Sequence, residues 1–168
     1  MKKAALRTNA DFEALYDRHW KYVYRLCFTY MNNVSDAEDV TEDVFVKVLA
    51  GDYKFNDEVH ERKWLTITAI NQCKDRLRSY GYKNIDYVEE LPEVADEEPQ
   101  EESDITDAVM ALPIKYKEII WLYYYEGYQL DEIAKMLKRP PSTVRNQIKD
   151  ARNLLKKILG GEADERET

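Results

Sequence analysis

The 168-residue chain has no apolar run that approaches the roughly 20 residues needed to cross a bilayer, so no transmembrane helix is expected. Its first twenty residues, MKKAALRTNADFEALYDRHW, hold two lysines but no apolar stretch behind them, so no secretory signal is expected and the protein is read as cytoplasmic. Cysteine is scarce: Cys27 and Cys73 both fall in helical apolar patterns and read as small buried hydrophobes rather than a disulfide framework. Histidine is scarcer in effect, because His19 and His60 share no ligand spacing with each other or with the cysteines, and no metal or cofactor is expected. The five glycines make no phosphate-cradling loop, and the many acids on helix faces are most simply solvating charge, so nothing points to an enzyme. Asn33-Val34-Ser35 matches a glycosylation sequon by chance.

Charge is plentiful but unevenly spread. The net charge is -8, with 33 acids against 25 bases. Residues 1–85 are close to balanced, residues 105–159 are net basic, and residues 86–104 hold ten acids and no base. That acidic segment, DYVEELPEVADEEPQEESD, contains two prolines and few large apolar residues. It cannot bury enough surface to fold alone, and reads as a flexible linker. Residues 161–168 read as a disordered acidic tail.

The linker separates two helical blocks. In the first, Phe12, Leu15, Tyr16, His19, Val23, Leu26, Cys27 and Tyr30 recur at helical spacing as far as Asn32-Asn33. Ser35 and Glu38 form a capping-box pattern that starts a second helix through Ala37, Val40, Val44 and Val48 to Gly51. A third covers roughly 60–80, with Trp64, Ile67, Asn71, Lys74 and Leu77 as its stripe and Gly81 as its stop. In the second block Ile105, Val109 and Leu112 lead to Pro113, and Tyr116, Ile119, Ile120 and Tyr123 form a helix closed by Gly127. WLYYYEGY is locally rich in β-formers, but no segment sustains strand alternation. The fold class is therefore all-α, two small helical domains joined by an acidic linker.

The sharpest pattern is near the C-terminal end. Leu130, Ile133, Ala134 and Leu137 mark one short helix, which KRPP interrupts, because Pro140 and Pro141 lack the donor a helix interior needs. The next helix, beginning near Ser142, sets Val144, Ile148, Ala151, Leu155 and Ile158 on one side and Arg145, Lys149, Arg152 and Lys156 about 100° round the axis. From Lys135 to Lys157 there are eight positive side chains and one negative, Asp150. Two short helices on a tight turn, the second apolar inside and basic outside, suit entry into a DNA major groove, although a solvated amphipathic helix would share part of the pattern.

With these motifs in hand, LPIKYKEIIWLYYYEGYQLDEIAKMLKRPPSTVRNQIKDARNLLKKIL resembles the region-4 domain of bacterial sigma factors. VSDAEDVTEDVFVKVL resembles their region 2.2, and WLTITAINQCKDRLRS resembles their regions 2.3 to 2.4. Two domains with no region 3 between them are similar to the extracytoplasmic-function (ECF) group of the sigma-70 family.

The resemblance implies a sigma factor, not an enzyme, that binds core RNA polymerase and directs promoter recognition and transcription initiation. It implies 1–85 as region 2, a helical bundle for clamp binding and the minus-10 element, and 105–160 as region 4, a helix-turn-helix for the minus-35 element. The implied polymerase-binding residues are Asp36, Glu38, Asp39, Glu42 and Asp43, docking on the β′ clamp, with the β flap as a second polymerase contact; from Asp36 to Glu61 nine acids against two lysines complement a basic partner. N-terminal helix-dipole stabilisation accounts for some of the same acids. The implied minus-10 residues are Asn71, Lys74, Arg76 and Arg78, in a stretch where cations interleave with Trp64, Tyr80 and Tyr82 as single-stranded DNA requires. The loop from Tyr53 to Arg62 would receive a flipped base, while Trp64 reads as core. The implied minus-35 residues are Ser142, Thr143, Arg145, Asn146, Lys149 and Arg152. Departures from the family pattern are Ile70 for Arg, which puts one phosphate contact in doubt, Thr68 for an aliphatic, and Gln129 for a Ser or Thr cap. Partners are therefore core polymerase, promoter DNA in double- and single-stranded form and, where one exists, an anti-sigma factor; the free protein is expected to be a monomer, without membrane insertion. The alternative reading is a helix-turn-helix regulator that never binds polymerase.

Overall fold

The computed structural model describes residues 9–51, 54–81 and 103–160, and everything described is helix or connecting turn. The chain divides after Lys83 into two units. The acidic linker lies outside the described residues except for its last two positions, and the tail 161–168 lies outside them altogether.

In the first unit, α1 (Asn9–Met31) buries Leu15, His19, Val23, Leu26, Cys27 and Tyr30 of the stripe expected, leaves Phe12 and Tyr16 half-buried, and adds Tyr22 and Met31. It stops at Asn32, whose φ of 52° is the left-handed conformation that Asn tolerates and that ends helices. Asn33 then becomes the N-cap of α2 (Val34–Ala50), its Oδ1 accepting the Asp36 N–H at 2.9 Å. This corrects the expected Ser35/Glu38 box: the sharp turn at Asn32 sets Asn33 in an extended conformation, so the helix starts two residues early and Ser35 is already inside it. Asp57 caps α3 (Glu58–Ser79) in the same way, accepting from the His60 N–H at 2.8 Å.

The buried face of α3 departs from the expected one. Leu65, Thr66, Ala69, Ile70, Cys73 and Leu77 face the core; of the expected stripe only Leu77 is among them, and Trp64, Ile67, Asn71 and Lys74 lie roughly a third of a turn away. Ala69 and Cys73 are fully buried between Leu65, Ile70 and Leu77, their small side chains letting the helices approach closely, whereas Trp64 and Ile67 stay half-buried at the margin. Buried hydroxyls are satisfied locally, Thr41 donating to the Ala37 carbonyl at 2.6 Å and Thr66 to that of Arg62 at 2.7 Å. Both cysteines are buried and free, and burial together with its hydrogen bond to Cys27 pushes the Cys73 thiol well up. Glu61 ties α3 to α1, accepting from both Arg18 (3.0 and 3.1 Å) and the His19 Nε2 (2.9 Å).

In the second unit, α4 (Ser103–Met110) buries Ala108, Val109 and Met110 and leaves Ile105 exposed, contrary to the stripe expected for it. After Pro113, α5 (Ile114–Ile120) runs without a break into a π-helical turn, Trp121–Tyr125, closed by Glu126 donating to the Trp121 carbonyl at 3.1 Å and by Gly127 at φ 75°. The first five residues of the β-rich WLYYYEGY, Trp121–Tyr125, are thus π-helix with Leu122 in the core, and the last three leave the helix. Then α6 (Leu130–Leu137) buries Ile133, Ala134 and Met136, Lys138 turns left-handed at φ 57°, and Pro141 opens α7 (Pro141–Ile158). In α7 Val144, Ile148 and Ala151 are buried and Leu155 half-buried; Ile158, expected in the same stripe, is exposed beyond the last turn that has a partner.

Two charges go where the sequence patterning gave no warning. Lys117 and Glu118 on α5 are each 1% exposed. Glu118 pairs with Arg139 from the α6–α7 turn, and Arg139 also donates to the Lys115 carbonyl (3.3 Å) and Gln147 Oε1 (3.1 Å). Among the described residues Lys117 makes one hydrogen bond, a long 3.5 Å contact to the Met110 carbonyl, and burial lowers it to about 8 against the pull of Glu118. Between about 8 and its ordinary value the unfolded chain binds the extra proton, so this unit gains stability as pH rises through that window. Lys117→Met should therefore stabilise the chain at pH 7 by about 1–3 kcal/mol. That advantage should shrink by about 2 kcal/mol at pH 9.5, at 1.36 kcal/mol per pH unit, when both proteins are unfolded in urea at the two pH values.

Candidate nucleic-acid interface

Helix α7 turns one face to its own unit and another to solvent. Ser142, Arg145, Asn146, Lys149 and Arg152 are exposed and Thr143 half-buried, so most of the expected minus-35 residues share the outward side of one helix, opposite Val144, Ile148 and Ala151. Arg152 is held in place: its Nε donates to the Tyr124 hydroxyl at 2.6 Å, with the guanidinium 5.6 Å from the ring centroid. Tyr124 was not among the residues singled out from sequence; its signal was the odd tyrosine cluster, which the π turn makes legible by rotating that ring outward. At the start of α6, Gln129 caps by a different route from Ser or Thr, because Glu132 reaches back to accept the Gln129 N–H at 3.2 Å.

On α3 the expected minus-10 residues separate. Asn71 is exposed and Lys74 half-buried. Arg78 pairs with Asp75 of its own helix at 3.2 Å. Arg76 turns instead to α2, 2.7 Å from Asp43 and 3.9 Å from Asp39, and contact with Tyr80, then with Asp43, raises the guanidinium above its ordinary value despite partial burial. Ile70, the expected departure from the family's Arg, is 2% exposed and belongs to the core. Thr68 is half-buried. Of the loop expected to take a flipped base, Tyr53 lies outside the described residues. Phe55 stands edge-on to His60 (5.5 Å) and Trp64 (5.7 Å), and the Asn56 N–H donates to His60 Nδ1 at 3.0 Å. Trp64 thus belongs to a half-buried aromatic cluster and not to the deep core.

The acids of α2 are mostly engaged. Asp36 accepts from the Tyr80 hydroxyl (2.9 Å), Glu42 from that of Tyr16 (3.0 Å), and Asp39 and Asp43 face Arg76. Burial, with the Glu42 hydrogen bond, raises the Tyr16 hydroxyl. Glu38 is exposed and makes no such pair among the described residues. Sequence reasoning missed Val46 and Leu49, each 56% exposed, which extend the Glu42 row by one and two helical turns; they were legible as apolar residues off the Ala37/Val40/Val44/Val48 stripe. Among the described residues no group of three His, Cys, Asp or Glu side chains converges as a metal site would require, and no helix is long and apolar enough to cross a membrane.

Comparison with known proteins adds independent information. Residues 15–81 match the family model for sigma-70 region 2 and residues 103–155 that for sigma-70 region 4, together well over half of the chain. The ECF RNA polymerase sigma factor SigM of Mycobacterium tuberculosis is 28% identical over 151 residues, covering 89% of this chain and 77% of SigM. SigW of Bacillus subtilis, also an ECF RNA polymerase sigma factor, is 27% identical over 168 residues, covering 88% of each. In fold, the chain is similar to the sigma factor RpoE solved with the anti-sigma factor NepR from Bartonella quintana, with a TM-score of 0.71 and 19% identity over 89% of this chain and 97% of that one. It is also similar to CnrH solved with the cytosolic domain of CnrY, with a TM-score of 0.62 and 21% identity over 92% and 90%. A regulator with an unrelated first block has no place in this picture, since both blocks match one family in its own order. The chain belongs to the ECF group of sigma-70 family sigma factors, and it is a non-enzymatic initiation factor that directs RNA polymerase to promoters and starts transcription.

Proposed function

We propose that the two units divide this work: residues 1–85 dock on polymerase and handle the minus-10 element, and residues 105–160 bind the minus-35 element, with 86–104 as the tether. The segregation of charge supports the division most directly, with acids along the outward rows of α2 and a cationic row along α7. Asp36, Glu38, Asp39, Glu42 and Asp43 meet the β′ clamp, and Val46 and Leu49 supply the apolar contact that charge alone does not give. Asn71, Lys74, Arg76 and Arg78 attend the opened strand, Arg76 only by exchanging its carboxylates for phosphate. Ser142, Thr143, Arg145, Asn146, Lys149 and Arg152 enter the minus-35 groove while the same unit meets the β flap. The protein works in the cytoplasm as a monomer until it joins polymerase. Since RpoE was solved with the anti-sigma factor NepR, and CnrH with the cytosolic domain of CnrY, a regulator of the anti-sigma kind is proposed here too.

On DNA, Arg145→Ala should cost about 1–3 kcal/mol and relax choice at one base, whereas Lys156→Ala should weaken all sequences alike and lower the salt slope by about one. Holoenzyme binding to a panel of point-mutated promoters separates the two; uniform losses from both would leave a phosphate clamp and no base reading. On polymerase, Glu38→Lys breaks no internal pair, so any loss of core affinity reports docking. It should reduce affinity at low salt, and the Asp39→Lys/Asp43→Lys double variant should do so further, with both effects fading as salt screens them. Normal core binding by both variants would remove α2 from the interface.

A further inference from the structure

A helix that approaches a polyanion gains by being cationic, and α7 is, apart from Asp150. That carboxylate is exposed and makes no ion pair or side-chain hydrogen bond among the described residues. Its isolation follows from the sequence. The positions three and four residues away on the same face are Asn146, Gln147, Asn153 and Leu154, so none of the helix's many cations stands where intrahelical pairing occurs. At about 100° per residue, the outward surface of α7 therefore resolves into two rows: Arg145, Lys149, Arg152 and Lys156 in one, and Asn146, Asp150 and Asn153 beside it. The first row offers donors only, for phosphates and for guanine edges. The second has the hydrogen-bonding chemistry of base edges.

We propose that Asp150 is a specificity-determining residue that accepts a hydrogen bond from a cytosine amino group in the major groove of the upstream promoter element. The inference rests on the reading of α7 as the major-groove helix. A carboxylate can only accept. Guanine offers two acceptors in that groove and thymine an acceptor and a methyl group, so both repel or ignore it; adenine's amino group lies beside the N7 acceptor; cytosine alone offers its N4–H without an acceptor on the same base. Asn146 precedes Asp150 by one turn, about 6 Å along the axis, which is nearly two base steps of 3.4 Å. The cytosine should therefore lie about two base pairs from the base that Asn146 contacts. The carboxylate's repulsion from phosphate makes it costly on every other sequence, which is how it selects.

The test uses holoenzyme assembled from the full chain and core polymerase, selecting from duplexes randomised upstream of the start site, with wild type and Asp150→Ala in parallel. Asp150 is exposed and unpaired, so the variant should unfold at the wild-type temperature. Wild type should enrich cytosine at one position by about tenfold, within the range of a single base contact, and Asp150→Ala should lose that preference alone while binding mismatched sequences more tightly. Replacing that cytosine by N4-methylcytosine, which keeps pairing but blocks the groove-facing N–H, should weaken wild type and leave the variant unmoved. Identical selected sequences, with the variant merely tighter on all DNA, would overturn the proposal and leave Asp150 a non-selective repulsive charge. Enrichment of no upstream element by either protein would instead overturn the major-groove reading of α7, and the inference with it.

Discussion

The ion pair between Arg139 and Glu118 is the constraint on which the C-terminal unit turns. Apolar contact through Ile133, Val144 and Ile148 makes α6 and α7 adhere, but such contact is non-directional and leaves the crossing angle soft. Arg139 sits in the turn itself and holds Glu118 and the Lys115 carbonyl on α5 and Gln147 on α7, so one guanidinium ties two helices to the turn. Taking both charges out of water is expensive, and the stabilisation left over is modest. What the pair provides is registry: with Glu118 1% exposed, any other setting of the turn would take from a buried carboxylate its bond to Arg139. The outward aim of Arg145 and Lys149 follows from that setting.

The N-terminal unit uses charge differently. Glu61, bonded to Arg18 and His19, joins α3 to α1 at the edge of the core, whereas Arg76 bridges to Asp39 and Asp43 in a setting open to water, where such pairs contribute little. A weak bridge is compatible with function on both sides of it, because a partner that takes up Asp43 displaces only a solvent-screened contact. The same economy appears at Tyr80 and Asp36 and at Tyr16 and Glu42, where hydroxyls orient carboxylates without neutralising them.

How much of this was legible in the sequence depended on whether one physical effect dominated locally. The α6–α7 turn was readable because Pro140 and Pro141 forbid continuation and the apolar spacing on either side is strict. The α1 stripe was readable for the same reason, since large residues fill it. Where effects compete, bulk misled: in α3 the closeness of three helices favoured Ala69 and Cys73 over Trp64, and at the start of α2 two side chains could cap, with the backbone at Asn32 deciding for Asn33. Lys117 and Glu118 could not be found from patterning, because Glu118 is paired by Arg139, distant in sequence, and both are covered by the packing of α5 within its unit. The π turn was hidden by tyrosines whose β preference is real but weaker than the pull of Leu122 into the core.

The central claim is that these two helical units act together to bring core polymerase to promoters. It is tested most directly by adding the purified full chain to core polymerase and a library of genomic fragments, then sequencing the 5′ ends of the RNA made. The account predicts a set of discrete start sites, absent with core alone, that share two upstream elements at a constant separation. Transcripts indistinguishable from those of core polymerase alone would contradict it.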